Sequence, residues 1–138
     1  MNNEDQSAML LLGVGGGGCR LAASVLAGYG AGMHAVGVDT DALANRHAAA
    51  GGMTCLLLGG SRLAGHGTGG DAIQGRLAAQ DDIQNLRTHM KGVRTAVITA
   101  CLGGGTGGGA TPEIVKSLAD SGIATICFLT MPFGFEGQ

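Results

Sequence analysis

The sequence contains few aromatic residues, few charged residues and little proline. Of its 138 residues, 3% are Phe, Trp or Tyr, 13% are charged and two are proline. A core built on aromatic side chains is therefore excluded, and the 45% of hydrophobic residues favour the aliphatic packing of a parallel sheet covered by helices. The charged fraction lies well below the usual value of about a quarter, which predicts that something else covers part of the surface.

Other absences exclude whole classes of protein. The formal net charge is −2, so the sequence lacks the basic surface of a nucleic-acid-binding protein. No apolar run approaches the roughly 20 residues of a membrane span, and residues 1–8 form a polar tail unlike a signal peptide. We therefore expect a cytoplasmic protein that has no membrane segment and no nucleic-acid partner.

The four cysteines, Cys19, Cys55, Cys101 and Cys127, are widely spaced. Structural zinc sites need close pairs such as CxxC, and the sequence has none. Disulfides are typical of secreted proteins, which this sequence does not resemble. We therefore expect reduced thiols in or beside apolar segments.

Glycine is abundant, with 28 residues, and its longest cluster follows a predicted strand. Residues 96–100 predict a buried strand, and residues 111–121 predict a helix with Pro112 in its first turn. Between them, residues 103–110 read GGGTGGGA. Glycine lets backbone N–H groups approach a ligand closely, and a helix N-terminus carries partial positive charge. The sequence therefore predicts a phosphate-binding loop in which the Thr106 hydroxyl points into an empty site as a donor.

A similar unit opens the chain. Residues 9–14 predict a strand and residues 21–26 predict a helix, with a glycine cluster between them. Residues 13–18 match the GxGxxG pattern of dinucleotide-binding domains, and Asp39 follows the next strand, where such domains bind a ribose hydroxyl. An NAD-binding Rossmann domain is therefore an open alternative for this part of the chain.

The remaining segments continue the alternation of strands and helices. Further strands are predicted at residues 35–38, 54–58 and 124–131. A third glycine-rich loop at residues 65–70 precedes a helix that Asp71 is expected to cap. Because these loops follow strands, they are expected to meet at the carboxyl edge of one sheet, where open α/β folds bind ligands. The predicted fold class is α/β, three-layer and Rossmann-like, with a mainly parallel sheet and helices on both faces.

Five segments, in this order along the chain, resemble the nucleotide-binding domain of the tubulin/FtsZ superfamily. They are GVGGGG at residues 13–18, DTDA at 39–42, the glycine run at 65–70, GGGTGGGA at 103–110 and PFGFEG at 132–137. Arg20 and Asp39 stand where the family usually has asparagine, and Gly108 stands where it usually has serine or threonine. The resemblance covers nearly the whole chain and implies a strand order of about 3-2-1-4-5.

The resemblance also implies a ligand, GTP or GDP, with Mg²⁺ accompanying GTP. Residues 16–20 are expected to contact the α- and β-phosphates, residues 104–107 the β- and γ-phosphates, and Glu136 the ribose. Asp39 and Asp41 are expected to help place Mg²⁺ through water, unless Asp39 only caps the next helix. No catalytic residue is assigned. The implied nucleotide-binding residues are Gly15, Gly16, Gly17, Gly18, Cys19, Arg20, Asp39, Gly69, Gly70, Gly103, Gly104, Gly105, Thr106, Gly107, Gly108, Pro132 and Glu136.

Other parts of the family pattern have no counterpart in this sequence. They are the long central helix that recognises the base, and the NxDxxD loop of a second domain, which completes hydrolysis on the neighbouring subunit. We therefore interpret residues 9–138 as the nucleotide-binding domain of a longer protein or as a one-domain relative. Hydrolysis is expected to need a partner subunit or the missing domain. The alternative is a non-catalytic FtsZ-like assembly module.

Expected partners follow from the same resemblance. The family polymerises head to tail, so self-association or association with homologous subunits is expected, with other division or cytoskeletal proteins as further partners. Because the receiving domain is missing, GTP and Mg²⁺ are expected not to drive this chain into filaments. Apolar surface is expected where the central helix packs, and with it a nucleotide-independent dimer or aggregate.

Overall fold

The computed structural model describes residues 9–29 and 33–132, which form a five-stranded sheet with helices packed on both faces. The strands are β1 Met9–Val14, β2 His34–Asp39, β3 Thr54–Leu57, β4 Thr95–Cys101 and β5 Ala124–Thr130. All neighbours pair in parallel, in the order β3-β2-β1-β4-β5. The predicted α/β fold and strand order are confirmed.

Helices connect these strands on both sides of the sheet. They are α1 Gly15–Tyr29, α2 Ala42–Ala50, α3 Gly60–Leu63, α4 Ala72–Thr88 and α5 Gly105–Asp120. Helices α1 and α2 cover one face, and α4 and α5 cover the other, each pair over its own apolar core. None of the described helices is both long enough and apolar enough to cross a membrane.

Strand β1 shows why the interior strands are nearly continuous apolar runs. Leu10 and Leu12 face the core beneath α4 and α5, whereas Leu11 faces the core beneath α1 and α2. Successive side chains of a strand point to opposite faces, and both faces are covered here. This burial also brings the carboxyl ends of β1 and β4 side by side, where Val14 pairs with Ala100.

Two glycine-rich segments differ from their predicted structure. The sequence predicts loops at residues 15–18 and 103–110, but helices begin within both, at Gly15 and Gly105. Pro112 consequently lies inside α5 rather than in its first turn. Glycine has low helix propensity, but several α5 glycines lie against the backbone of neighbouring segments where no side chain fits. Tertiary packing therefore overrides local propensity at these helix starts.

The edge strand β5 exposes apolar side chains. Ile126 is 52% exposed, Phe128 is 60% exposed, and Met131, just beyond the strand, is 72% exposed. Every residue of this strand except Thr125 is exposed, so exposed side chains lie on both of its faces. An exposed apolar surface is therefore present, as expected, and it lies at one edge of the sheet.

Candidate phosphate-binding site

A cavity of about 310 Å³ lies at the carboxyl ends of β1 and β4. The connections that leave these neighbouring strands run in opposite directions along the sheet, which is where open α/β folds bind ligands. The residues that line the cavity are Val14, Gly15, Gly16, Gly17, Arg20, Thr68, Cys101, Gly104, Gly105, Thr106 and Gly107. The fold therefore brings two of the predicted glycine-rich segments together.

Helices α1 and α5 both begin at this cavity. The first N–H groups of a helix have no partner within it, and Gly104, the N-cap of α5, has no side chain that could accept from them. The Gly108 N–H already donates to the Gly104 carbonyl at 2.8 Å, so the free donors precede it. These donors and the positive ends of two helix dipoles favour an anion in the cavity.

Two glycines make this arrangement sterically possible. Gly15 has a φ of 74°, which residues with side chains rarely adopt, and a Cβ there would lie 3.1 Å from the Gly107 nitrogen. A Cβ on Gly107 would collide with the carbonyl oxygen of Cys101. Glycine at both positions therefore lets α1 and α5 approach each other with their backbones facing the cavity.

One charge of each sign lies at the mouth of the cavity. A Cβ on Gly16 would lie 3.9 Å from a guanidinium nitrogen of Arg20 and 3.9 Å from a carboxylate oxygen of Asp39. Arg20 is exposed, and within the described part of the chain it forms no ion pair. Its planar guanidinium is therefore suited to a bidentate contact with a phosphate.

Asp39 is buried, and the backbone that follows it holds its carboxylate. Its Oδ1 accepts hydrogen bonds from the N–H groups of Thr40, at 2.8 Å, and Asp41, at 3.4 Å. Burial raises the pKa of Asp39, although these hydrogen bonds act in the opposite direction. Asp39 does not cap α2, because the Asp41 carboxylate accepts from Leu43 and Ala44 at that helix start.

Thr106, the predicted side-chain donor, lines the cavity but is only 8% exposed. Its hydroxyl oxygen lies 2.8 Å from the hydroxyl oxygen of Thr40, which is fully buried. The Thr106 side chain also lowers the pKa of Asp39, against the larger effect of burial. The expectation that the hydroxyl points into an empty site was therefore wrong, since it belongs to a buried network.

Cys19, another predicted residue, turns its side chain away from the cavity. Its thiol is buried and donates weakly to the carbonyl oxygens of Gly13, at 3.5 Å, and Val38, at 3.7 Å. Burial is the main reason that the pKa of this thiol is raised to about 12. Cys19 is therefore inert, and only its backbone is left to contact a ligand.

The other predicted residues also lie outside the cavity lining; they are Gly18, Asp39, Gly69, Gly70, Gly103, Gly108 and Pro132. The Gly18 carbonyl accepts the Thr99 hydroxyl at 2.8 Å. Gly70 lies in the turn before α4, against the start of α5. Glu136, the predicted ribose ligand, lies outside the described residues.

Three residues with side chains line the cavity and were not predicted, namely Val14, Thr68 and Cys101. Thr68 is a hydroxyl residue among the glycines of residues 65–70, as Thr106 is among those of residues 103–110. This similarity is the sequence signal that could have identified Thr68. Cys101 ends β4, and a Cβ on Gly17 would collide with its thiol. Contacts of this kind join distant segments, and local sequence patterns do not report them.

A second cavity, of about 370 Å³, lies between α1 and α2 and shares Gly16 and Arg20 with the first. The rest of its lining is Cys19, Ala23, Ala44, His47 and Ala48. Its larger volume does not make it the better phosphate site, because alanine methyl groups rather than free helix N–H groups form its walls.

The donor chemistry at the first cavity suits Mg²⁺ only in company with phosphates. Mg²⁺ prefers oxygen ligands and is commonly held by one or two carboxylates, waters and the phosphates of a nucleotide. Asp39 turns a carboxylate oxygen towards Gly16, whereas the Asp41 carboxylate is occupied at the start of α2. Across residues 9–29 and 33–132, no three His, Cys, Asp or Glu side chains group closely enough to hold a metal. Asp39 is therefore the residue here that fits a metal bound together with phosphates.

Comparisons with known proteins give the family. The model of the tubulin/FtsZ family, GTPase domain, matches residues 8–138. The cell division protein FtsZ of Neisseria meningitidis is 35% identical over 130 residues, which are 93% of this chain and 32% of that protein. This chain spans about a third of the length of such curated relatives.

Two solved structures share the fold. An FtsZ dimer from M. jannaschii, described as empty, matches 94% of this chain and 37% of its own, with a TM-score of 0.84 and 26% identity. A GTPγS-bound protofilament of CetZ2 from Haloferax volcanii matches 88% of this chain and 39% of its own, with a TM-score of 0.78 and 27% identity. These matches decide against the NAD-binding alternative, and the chain belongs to the tubulin/FtsZ family through its GTPase domain.

Proposed function

We propose that this chain binds GTP and GDP by their phosphates, in the cavity at the carboxyl ends of β1 and β4. The observation that carries the proposal is that the first residues of both α1 and α5 line one cavity of about 310 Å³. Two helix N-termini provide the donors and the partial positive charge that a diphosphate or triphosphate needs. Family membership makes the guanine nucleotide the expected ligand.

Each wall of the cavity has its own role in this proposal. Residues 15–17 and Arg20 contact the α- and β-phosphates, and residues 104–107 contact the terminal phosphates. Mg²⁺ neutralises phosphate charge when it is bound with GTP, and Asp39 is the residue that fits beside it. The ribose contact from Glu136 stays a prediction.

The wider role that we propose is that of a cytoplasmic cell-division or cytoskeletal GTPase that self-associates. FtsZ relatives and the CetZ2 protofilament structure support this role. The resemblance implies that a neighbouring subunit completes GTP hydrolysis, so hydrolysis by this chain alone is expected to be negligible. Association is expected to involve the apolar β5 edge and to be independent of nucleotide.

A pair of matched substitutions in α1 tests the phosphate site. A Cβ on Gly16 meets no protein atom closer than 3.9 Å and faces the cavity, and a Cβ on Gly28 of the same helix meets nothing within 4 Å. Gly16→Ala therefore leaves the empty protein as stable as before, or slightly more stable, because alanine restricts the unfolded chain. It also occupies space that a phosphate needs, so GDP affinity should fall about tenfold or more.

Gly28→Ala is the control, with the same chemical change and no contact with the cavity. Isothermal calorimetry with GDP, and thermal unfolding without it, are measured for both variants. If Gly16→Ala binds GDP as tightly as Gly28→Ala, the phosphates do not lie in this cavity. Adding ATP to the series separates phosphate binding from base selection, because a phosphate site alone does not distinguish the two bases.

A further inference from the structure

We infer that Thr40 is a positioning residue for the phosphate site, because its hydroxyl donates to the Thr106 oxygen and leaves the Thr106 proton for a phosphate. This inference rests on the proposed nucleotide-binding function. Thr40 does not line the cavity and was not predicted from the sequence. It acts on the ligand only through Thr106.

The position of Thr40 holds its hydroxyl in place beside Thr106. Thr40 is fully buried directly after β2, and its N–H donates to the Asp39 carboxylate at 2.8 Å. Its carbonyl oxygen accepts the Gly67 N–H at 3.1 Å. With its backbone held on both sides, the side chain meets the Thr106 hydroxyl at 2.8 Å. A buried hydroxyl that is held in this way keeps one direction.

Counting protons decides which hydroxyl donates. Each threonine hydroxyl has one proton and can also accept, whereas an ionised carboxylate can only accept. A phosphate oxygen likewise only accepts, so when Thr106 donates its single proton to a bound phosphate it has none left for Thr40. The oxygen of Thr106 is then the acceptor of the 2.8 Å contact, and Thr40 is the donor.

A chain of hydrogen bonds from Thr40 to Thr106 and from Thr106 to the ligand suits a phosphate. A phosphate that enters the cavity offers the Thr106 proton a charged acceptor, and the Thr106 oxygen stays paired with Thr40. Without the Thr40 hydroxyl, that buried oxygen loses its donor and the Thr106 side chain loses a fixed orientation. Thr40 therefore affects nucleotide affinity only while Thr106 carries a hydroxyl.

A purely structural role predicts something different. If the hydroxyl pair only joins the end of β2 to α5, its loss lowers the thermal stability of the empty protein, and affinity follows the folded fraction. A positioning role predicts a loss of affinity at temperatures where every variant is fully folded. It also predicts that the effects of changing Thr40 and Thr106 are not additive.

The experiment is a double-mutant cycle on GDP affinity, measured by calorimetry well below the unfolding transition, with pyrophosphate as a second probe. Thr106→Ala should lower GDP affinity about ten- to a hundredfold, as expected for a lost hydrogen bond to a charged group. Thr40→Val should lower it about three- to tenfold, and Thr40→Ser should stay within about twofold of the natural protein. Adding Thr40→Val to Thr106→Ala should change the affinity no further. The affinities of the variants for pyrophosphate should follow the same order.

Thr40→Val with natural affinity, or with the same loss in both backgrounds, would overturn the inference. If Thr40→Val does not fold, the inference is tested by comparing the GDP affinities of Thr40→Ser and Thr40→Cys. These two side chains have similar shapes, but the thiol is the weaker hydrogen-bond donor. Equal GDP affinity for these two variants overturns the inference as well. If the natural protein binds neither GDP nor GTP, the proposed function fails first and this inference fails with it.

Discussion

Apart from the one-turn helix α3, the helices that begin at the carboxyl edge of the sheet begin in two different ways. Helices α2 and α4 each start at an aspartate whose carboxylate accepts from their own first turn, Asp41 from Leu43 and Ala44, and Asp71 from Ile73. Helices α1 and α5 start in glycine, and they are the two that face the cavity. At a capped start the aspartate carboxylate accepts hydrogen bonds from N–H groups of the first turn. At an uncapped start these N–H groups remain available to a ligand.

At the start of α5 the difference from α2 and α4 lies in the side chain and not in the backbone. Gly104 has φ −91° and ψ 159°, Asp41 has −100° and 114°, and Asp71 has −87° and 108°. All three residues have the extended conformation that is usual for an N-cap. A side chain that caps α2 or α4 would therefore also fit the backbone at the start of α5. This similarity allows the two kinds of helix start to be exchanged by mutation.

The largest effect is expected from giving α5 the cap that it lacks. In Gly104→Asp the new Cβ meets no protein atom closer than 4.0 Å, so the carboxylate has room to accept from the first turn of α5. The empty protein should gain roughly 0.5–1 kcal/mol of stability, because a cap forms and a glycine is lost. GDP affinity should fall about a hundredfold or more, since the carboxylate takes the phosphate donors and repels the phosphates.

Thermal unfolding and GDP calorimetry measure both halves of this prediction. Gly104→Ala is the control, because it adds the Cβ without the charge and should lose much less affinity. If Gly104→Asp keeps GDP affinity within about threefold of the natural protein, the start of α5 does not hold the phosphates.

A smaller effect is expected from Asp39, a carboxylate that lies near Gly16 of the cavity lining and does not cap a helix. Asp39→Asn keeps an oxygen that can accept from Thr40 and removes a negative charge beside the phosphates. Without Mg²⁺, GDP affinity should rise on the order of tenfold. If Asp39 helps to place Mg²⁺, the gain should shrink for GTP with Mg²⁺. A loss of GDP affinity in EDTA would show that the carboxylate binds the ligand rather than repelling it.

The same variant has an expected signature in the pH dependence of stability. Burial raises the pKa of Asp39, so the folded protein keeps this proton at a higher pH than the unfolded chain. The stability that Asp39 contributes is complete below its unfolded pKa of about 3.9 and is lost as the pH rises through its folded pKa. Asp39→Asn should remove this decline, so that its advantage in stability over the natural protein grows with pH in chemical denaturation.

The smallest effect is expected from removing a cap that serves no ligand. Asp71→Ala leaves the first turn of α4 without its carboxylate acceptor and should cost about 1 kcal/mol of stability. GDP affinity should not change, because the Asp71 side chain does not line the cavity. Urea unfolding with and without GDP checks both points. A large loss of GDP affinity at full folding would mean that α4 takes part in binding.

The strand order came from the resemblance to the tubulin/FtsZ superfamily, whereas the sequence pattern itself was sufficient to predict the strands and the edge at which the glycine-rich segments meet. Apolar runs followed by glycine carry that information locally. It was not sufficient to predict that α1 and α5 begin inside the glycine runs. Those starts depend on contacts such as that of Gly107 with the Cys101 carbonyl, which form only in the folded chain.

The hydroxyl network was missed for the same reason. Thr40 and Thr106 lie far apart in sequence, and nothing around either residue indicates the 2.8 Å contact between them. The burial of the Cys19 thiol agrees with the expectation of mostly buried thiols, whereas Cys55 and Cys101 are half-buried and Cys127 is exposed. Local patterns thus locate the site, and packing between distant segments decides which atoms face it.

The most direct test of a phosphate cradle at two uncapped helix starts is a calorimetric comparison of GDP with guanosine on the natural chain. If the free N–H groups of α1 and α5 carry the affinity, GDP should bind with one-to-one stoichiometry and guanosine should give no measurable binding. Equal affinity for GDP and guanosine, or no heat with either GDP or GTP, would contradict a phosphate site at these helix starts.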